Sequence, residues 1–127
     1  ALGWNQYGGW RVGIRSHDGL RYWYYAHLRQ GHPYAAGLTE GSVVQAGDVI
    51  GYMGRTGYSP NPDTNNIEKV HLHLGLQLIF DESQKDGSGE IWVDVYELVR
   101  LLERHRCTVT ASSGEAVRVY PYQDLDG

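Results

Sequence analysis

Val70-His71-Leu72-His73-Leu74-Gly75-Leu76-Gln77-Leu78-Ile79-Phe80 alternates more cleanly than any other stretch of the chain. Side chains on a strand point to opposite faces in turn, so Leu72, Leu74, Leu76, Leu78 and Phe80 belong to one face and His71, His73, Gly75, Gln77 and Ile79 to the other. An unbroken leucine row fixes the register, because a one-residue slip would turn the whole row out of the core. The two histidines therefore share the opposite face, about 7 Å apart at Cα, and Gly75 clears space beside them. Two imidazoles so placed can bind one metal, or one can bind metal while the other acts on a water beside it.

Working back from this strand, Tyr58 to Lys69 is a long polar loop with Pro60 and Pro62, of the kind that forms a rim over a site. Two short strands are expected before it, Ser42–Gln45 and Asp48–Met53, hinged at Ala46-Gly47. Arg29 to Thr39 is a loop broken by Gly31, Pro33 and Gly37. Leu20 to Leu28 is an aromatic strand on which Trp23, Tyr25 and His27 share a face. Ser16-His17-Asp18-Gly19 is a tight turn joining it to the alternating run Gly9–Arg15.

Beyond Phe80, Asp81 to Glu90 reads as a charged hairpin tip at Asp86-Gly87. Asp94 and Glu97 have capping-box spacing for a helix from Val95 to Arg104, with Leu98, Leu101 and Leu102 as its packing stripe. Thr108 to Gly127 is a weak strand and a polar tail. The division expected is a main domain over 1–106 and a C-terminal strand and tail over 107–127.

Composition narrows the function classes. The chain has 127 residues, enough for one modest core, and seventeen glycines, ten tyrosines and four tryptophans point to strands and turns. The net charge of −4 is evenly spread, with no basic stripe for nucleic acid. No apolar run approaches the ~20 residues that span a bilayer. The single Cys107 sits in no catalytic motif and cannot pair internally.

The six histidines are not equivalent. His17 lies in a turn, His32 in a Gly-Pro loop and His105 at the negative pole of the helix, which are positions of surface residues. His27, at the end of the aromatic strand, is the third candidate beside His71 and His73, and Tyr25 is a candidate phenolic donor. Two zinc arrangements follow. Either all three histidines are ligands with water in the fourth position, or one binds metal and the others serve as acid, base or oxyanion donors. Spacing leaves both open.

The run Gly8-Gly9-Trp10-Arg11-Val12-Gly13-Ile14, then Tyr25-Ala26-His27-Leu28, then Gly47-Asp48-Val49-Ile50-Gly51, Thr56-Gly57-Tyr58-Ser59 and finally His71-Leu72-His73-Leu74-Gly75 resembles the lysostaphin/LytM-type zinc endopeptidases over about residues 4 to 76. The resemblance implies a mostly β fold, an antiparallel sheet of the duplicated-hybrid-motif type with one C-terminal helix. It implies an extracellular enzyme of the bacterial cell envelope that cuts peptidoglycan peptides with Zn2+. It makes His73 a zinc ligand and His27 and His71 the catalytic pair, with Tyr25, Tyr58 and Asn66 lining the substrate groove.

The family's other two ligands come from an upstream His-x-x-x-Asp, and no His or Asp precedes His17 here. An exposed sheet edge is therefore expected, with the missing strands on a further piece of the protein, a companion chain or a second copy. The competing reading is a non-catalytic wall-binding or interaction domain on the same scaffold. A biotinyl- or lipoyl-carrier domain would need a lysine at an exposed hairpin tip, whereas Lys69 and Lys85 flank other elements.

Overall fold

A computed structural model describes residues 1–86 and 89–119. Its main body is a five-stranded antiparallel sheet in the order β1-β2-β3-β4-β5, formed by Leu2–Asn5, Gly9–Arg15, Arg21–Ala26, His73–Leu78 and Ile91–Trp92. A single helix, α1 (Tyr96–Arg104), and a hairpin, β6 (Val109–Ser112) with β7 (Glu115–Arg118), follow. The fold is mostly β with one helix, as the sequence implies.

The register of the three central strands divides the sheet into two faces. Tyr22 pairs with Gln77, Tyr24 with Gly75 and Ala26 with His73, while Trp23 pairs with Leu76 and Tyr25 with Leu74. Gly13 pairs with Tyr24, and Val12 with Tyr25. Arg11, Gly13, Tyr22, Tyr24, His73, Gly75 and Gln77 thus share one face, and Val12, Trp23, Tyr25, Leu74 and Leu76 the other. The apolar core is small, built around Val12, Ala26, Leu28, Leu76 and Ile79.

Several expectations change. Strand β4 ends at Leu78, one step before the Ile79 NH makes a last in-register bond to the Leu20 carbonyl at 2.8 Å. Ile79 is buried and Phe80 exposed, although the alternation placed Phe80 with the leucine row. Ser42–Gln45 and Asp48–Met53 are not strands. Asp48 closes its own turn, its carboxylate accepting from the Gln45 NH at 2.8 Å, and the segment pairs with its neighbours through the isolated bridges Tyr34–Gly51 and Leu28–Met53 rather than through a ladder.

Residues Glu82–Asp86 form a 3-10 turn rather than a hairpin tip, with the Gln84 side-chain oxygen accepting from the NH groups of Phe80 and Asp81. Gly87 of the expected Asp86-Gly87 tip lies outside the described residues, as does the tail from Tyr120. Helix α1 begins one residue late. Asp94 accepts from the Tyr96 NH at 3.0 Å, Val95 stands at the cap, and no capping box forms. Leu101 and Leu102 of the proposed packing stripe are exposed.

Strand β1 was not anticipated. It forms the expected sheet edge, but long-range contacts cover part of it: the Leu2 NH donates to the Glu40 carboxylate and the Gly3 NH to the Tyr34 hydroxyl at 2.7 Å. Hairpin β6–β7 is held through Glu115, whose carboxylate accepts from Tyr52 Oη at 2.7 Å and pairs with His32.

The β2–β3 turn forms as read. The Gly19 NH donates to the Ser16 carbonyl at 2.9 Å, with Gly19 at φ +77. The Ser16 hydroxyl, the Leu20 NH and Arg21 together hold the Asp18 carboxyl down to about 2. Hydrogen bonds to the charged form depress the folded value below the ordinary one near 4, so this contribution is present above that ordinary value and disappears as the pH falls through about 2. An NMR titration of the Asp18 carboxyl carbon is expected to give a midpoint near 2; a midpoint near 4 would show that the turn does not hold this carboxylate.

Candidate active site

Three imidazoles meet at one end of the sheet. The ring of His27 lies 5.1 Å from that of His71 and 5.6 Å from that of His73, centroid to centroid. His73 and His71 are exposed, while His27 is 5% exposed.

His27 reaches this position through an unusual backbone. Strand β3 ends at Ala26, and His27 takes a left-handed conformation at φ 59. That conformation costs of the order of 1–3 kcal/mol for a residue with a Cβ. Three contacts hold it: the His27 NH donates to the Gly8 carbonyl at 2.7 Å, its carbonyl accepts from the Gly54 NH at 3.0 Å, and Nδ1 lies 2.8 Å from the Thr56 carbonyl oxygen. A carbonyl can only accept, so Nδ1 carries the proton and Nε2 keeps its lone pair. The same reasoning applies to His71, whose Nδ1 lies 2.9 Å from the Lys69 carbonyl. Both rings are fixed as the same tautomer with Nε2 as the basic edge.

Burial pushes the His27 imidazole below its ordinary 6.5; the Thr56 carbonyl opposes this, and charge on His71 or His73 adds to it. His27 is therefore neutral and basic at pH 7.

The left-handed turn also changes which tyrosine faces the site. Tyr25 lies across the sheet from the histidines, lining an apolar hollow with Leu28, Met53 and Leu72, so the expected shared face of Tyr25 and His27 does not exist. Tyr24 occupies that role instead, edge-on to His73 at 6.1 Å. The signal available in the sequence was its parity with Ala26, masked by the break at His27.

Tyr58 does reach the site. Its ring stacks on His27 at 6.1 Å and meets Tyr7 edge-on at 5.9 Å. Asn66 lies one step back, its side-chain amide donating to the Tyr58 carbonyl at 2.7 Å. The rim loop is tied down by Asp63, which accepts from the Trp10 indole at 2.8 Å and the Gly31 NH at 2.7 Å.

Sequence reasoning missed Thr56 as a contributor. It is fully buried; its hydroxyl donates to the Leu28 carbonyl at 2.5 Å and accepts from the Trp10 NH at 3.2 Å. Gly9 (φ +67) packs so closely that a Cβ there would come within 2.4 Å of the Thr56 backbone. The Thr-Gly pair at 56–57 was visible only as part of a familiar run.

Among the described residues, no group of three or more His, Cys, Asp or Glu side chains is disposed to hold a metal ion. These residues alone do not make a zinc centre, and the arrangement with His27, His71 and His73 as three ligands finds no support in their geometry.

The family model for peptidase family M23 matches residues 1–86. The chain belongs to peptidase family M23. It is 39% identical over 104 residues to the L-Ala–D-Glu endopeptidase of Bacillus subtilis (strain 168), covering 81% of this chain and 28% of that protein. It is 36% identical over 73 residues to lysostaphin of Staphylococcus simulans, covering 57% of this chain and 12% of that protein. This M23 chain thus spans less than a third of either relative. The catalytic domain of lysostaphin from Staphylococcus simulans superposes with a TM-score of 0.54 at 28% identity, over 79% of this chain and 62% of that one.

Thr56→Val keeps the volume of the buried side chain and removes its hydroxyl. It is expected to cost about 1–3 kcal/mol, read as a lower midpoint in urea unfolding, because two buried backbone groups lose their partner. Nitrogen-detected NMR of the metal-free chain is expected to give His27 a titration midpoint below 6.5. The sign follows: a depressed folded value means that protonation favours unfolding, so stability present above pH 6.5 is lost as the pH falls through the folded value. A midpoint above 6.5 would contradict the buried neutral assignment.

Proposed function

We propose that this chain is part of the catalytic domain of a zinc-dependent endopeptidase that hydrolyses a peptide bond of bacterial peptidoglycan, in a stem peptide or a crossbridge, in the cell envelope. The observation that carries this reading is the convergence of His27, His71 and His73, with the first two locked by backbone carbonyls so that their basic edges stay free. Two relatives support the substrate class, since one is named as an L-Ala–D-Glu endopeptidase and another, from Staphylococcus capitis, as a glycyl-glycine endopeptidase.

In this reading His73 is one zinc ligand, and the others come from residues outside those described, on a further segment, a companion chain or a second copy. Bound zinc supplies Lewis acidity for attack on the amide near neutral pH. Neutral His27 accepts a proton from the attacking water through Nε2, and that proton ends on the leaving amine when the C–N bond breaks. The burial that keeps His27 neutral keeps this base available. His71, at the mouth of the site, donates to the developing oxyanion when protonated or relays protons with His27. Tyr58 and the loop braced by Asn66 form one wall of the groove.

A non-catalytic wall-binding domain is the second reading, and the lack of a three-ligand group among the described residues favours it. Substitution in the full-length protein separates the two. His73→Ala is expected to lose both bound zinc and wall lysis. His71→Ala is expected to keep its zinc and lose about 10²–10⁴-fold in turnover, the usual contribution of a positioned acid or base. Wall lysis at the wild-type rate by His73→Ala would sink the enzyme reading, as would a wild-type protein that binds peptidoglycan without cleaving it.

A further inference from the structure

Tyr52 closes a short excursion of the chain at both ends. The Arg29 NH donates to the Tyr52 carbonyl at 3.0 Å, and the Tyr52 NH donates to the Pro33 carbonyl at 3.0 Å. Gln30, Gly31 and His32 lie between these two bonds, with Gly31 in the left-handed region at φ +75. Tyr52 is buried, with the His32 imidazole stacked on its ring at 5.2 Å and the Arg29 guanidinium 4.7 Å from the ring centre.

Two segments distant in sequence are bonded to this excursion. The first is the rim loop. The Gly31 NH donates to the Asp63 carboxylate at 2.7 Å and Gln30 Nε2 to the Asp63 carbonyl at 2.7 Å, while Gln30 Oε1 accepts from Asn65 Nδ2 at 3.1 Å. Next to Asn65, Asn66 holds the Tyr58 carbonyl. The second segment is hairpin β6–β7. His32 Nε2 lies 2.5 Å from one Glu115 oxygen, and the other oxygen accepts from Tyr52 Oη at 2.7 Å and from the Ala36 NH at 3.2 Å. A carboxylate can only accept, so His32 Nε2 carries a proton.

A half-exposed histidine–carboxylate pair contributes little by itself. The contact here is firmer because Tyr52 is buried and its hydroxyl is engaged twice, donating to Glu115 and accepting from the Ala116 NH at 2.8 Å. The Tyr52 hydroxyl, the Ala36 NH and His32 hold the Glu115 carboxyl below its ordinary range, so it is charged at neutral pH. Arg118 ties β7 separately to Asp48, at 3.4 Å, and to the Ala46 carbonyl. The hairpin therefore has an anchor that does not involve Glu115.

Building on the proposed peptidase reading, we infer that hairpin β6–β7 is a working part of the peptidase: Glu115 positions the excursion Gln30–His32, and the excursion positions the wall that Tyr58 presents to the substrate. Glu115 lies outside residues 1–86, which the family model matches, so the hairpin adds a brace to the M23 core. It is a positioning residue, acting through Gly31 and Asp63. His32 and Gly31 are adjacent, and a shift of the His32 end moves the NH that the Asp63 carboxylate accepts. His27 and His71 are held by the Thr56 and Lys69 carbonyls instead. Loss of the brace disturbs the groove and spares those two imidazoles.

The test uses the full-length protein and two readouts. The Trp10 indole donates to Asp63, so its signal in nitrogen–proton NMR reports on the rim loop without turnover. In Glu115→Ala this indole proton is expected to exchange with water about tenfold faster, the scale of one weakened hydrogen bond. KM for purified peptidoglycan is expected to rise about threefold or more with kcat nearly unchanged, the mark of lost binding rather than lost chemistry. Glu115→Gln keeps an acceptor for Tyr52 and Ala36 and is expected to stay close to the wild type in both. His32→Ala leaves the Glu115–Tyr52 bond in place, is expected to move both in the same direction, and serves if Glu115→Ala does not fold. An unmoved Trp10 proton in a folded Glu115→Ala or His32→Ala would overturn the brace, even if the melting temperature falls. A faster Trp10 proton with unchanged KM would overturn its role at the groove. If the wild type cleaves no peptidoglycan while the Trp10 proton responds, the peptidase reading falls and the brace stands; cleavage with an unmoved Trp10 proton removes the brace alone.

Discussion

The hydrogen bond between His27 Nδ1 and the Thr56 carbonyl is the contact on which the site depends. It fixes the tautomer of the buried imidazole, and it helps to hold the left-handed residue that ends β3. Thr56 can serve this purpose because its own side chain is fully committed to Leu28 and Trp10. One threonine therefore joins β2, the end of β3 and the loop that carries Tyr58. Gly9 and Gly57 belong to the same arrangement. A Cβ on Gly57 would meet the Tyr7 carbonyl at 2.4 Å and His27 Nδ1 at 3.0 Å. Close backbone approach in this region explains why glycine appears on both sides of the site.

A second constraint shapes the neighbouring sheet face. Tyrosines and tryptophan lie over Gly13 and Gly75, so aromatic mass is available without crowding the histidines. Leu74 and Leu76 on the opposite face hold β4 in register. The result is a division within one strand. One face supplies packing, and the other presents His73 and Gln77 to a cleft.

Much of this was legible in the sequence because it followed from parity alone. The turn at Asp18-Gly19 and the span of β2 need only local rules and formed. The alternation expected over Val70–Phe80 holds as a strand only over His73–Leu78, which leaves His71 just before it. Parity also misled where the chain leaves strand geometry. At His27 a left-handed residue reverses the alternation, which exchanges Tyr25 for Tyr24. Past Leu78 the strand has ended, and Ile79 is buried while Phe80 is exposed. The segment 42–53 carries strand-forming residues, yet side-chain closure at Asp48 makes it turns. Thr56 owes its role to contacts distant in sequence, and composition contains no signal for those.

Chemistry is shared, under the proposed function, between the histidines of this chain and the remaining zinc ligands. His27 and His71 each use Nδ1 on a backbone carbonyl, so their orientation is set by the fold itself, independent of any metal. In the proposed peptidase reading, a ligand set assembled from separate segments would then have only to place the metal, since the two imidazoles assigned as acid and base are already in position. In that reading the site is preorganised: the buried, neutral His27 would require no reorganisation when substrate arrives. It also explains why the histidine cluster is recognisable in a chain whose described residues form no metal centre of their own. His27 and His71 are held by the end of β3 and the loop that leads into β4.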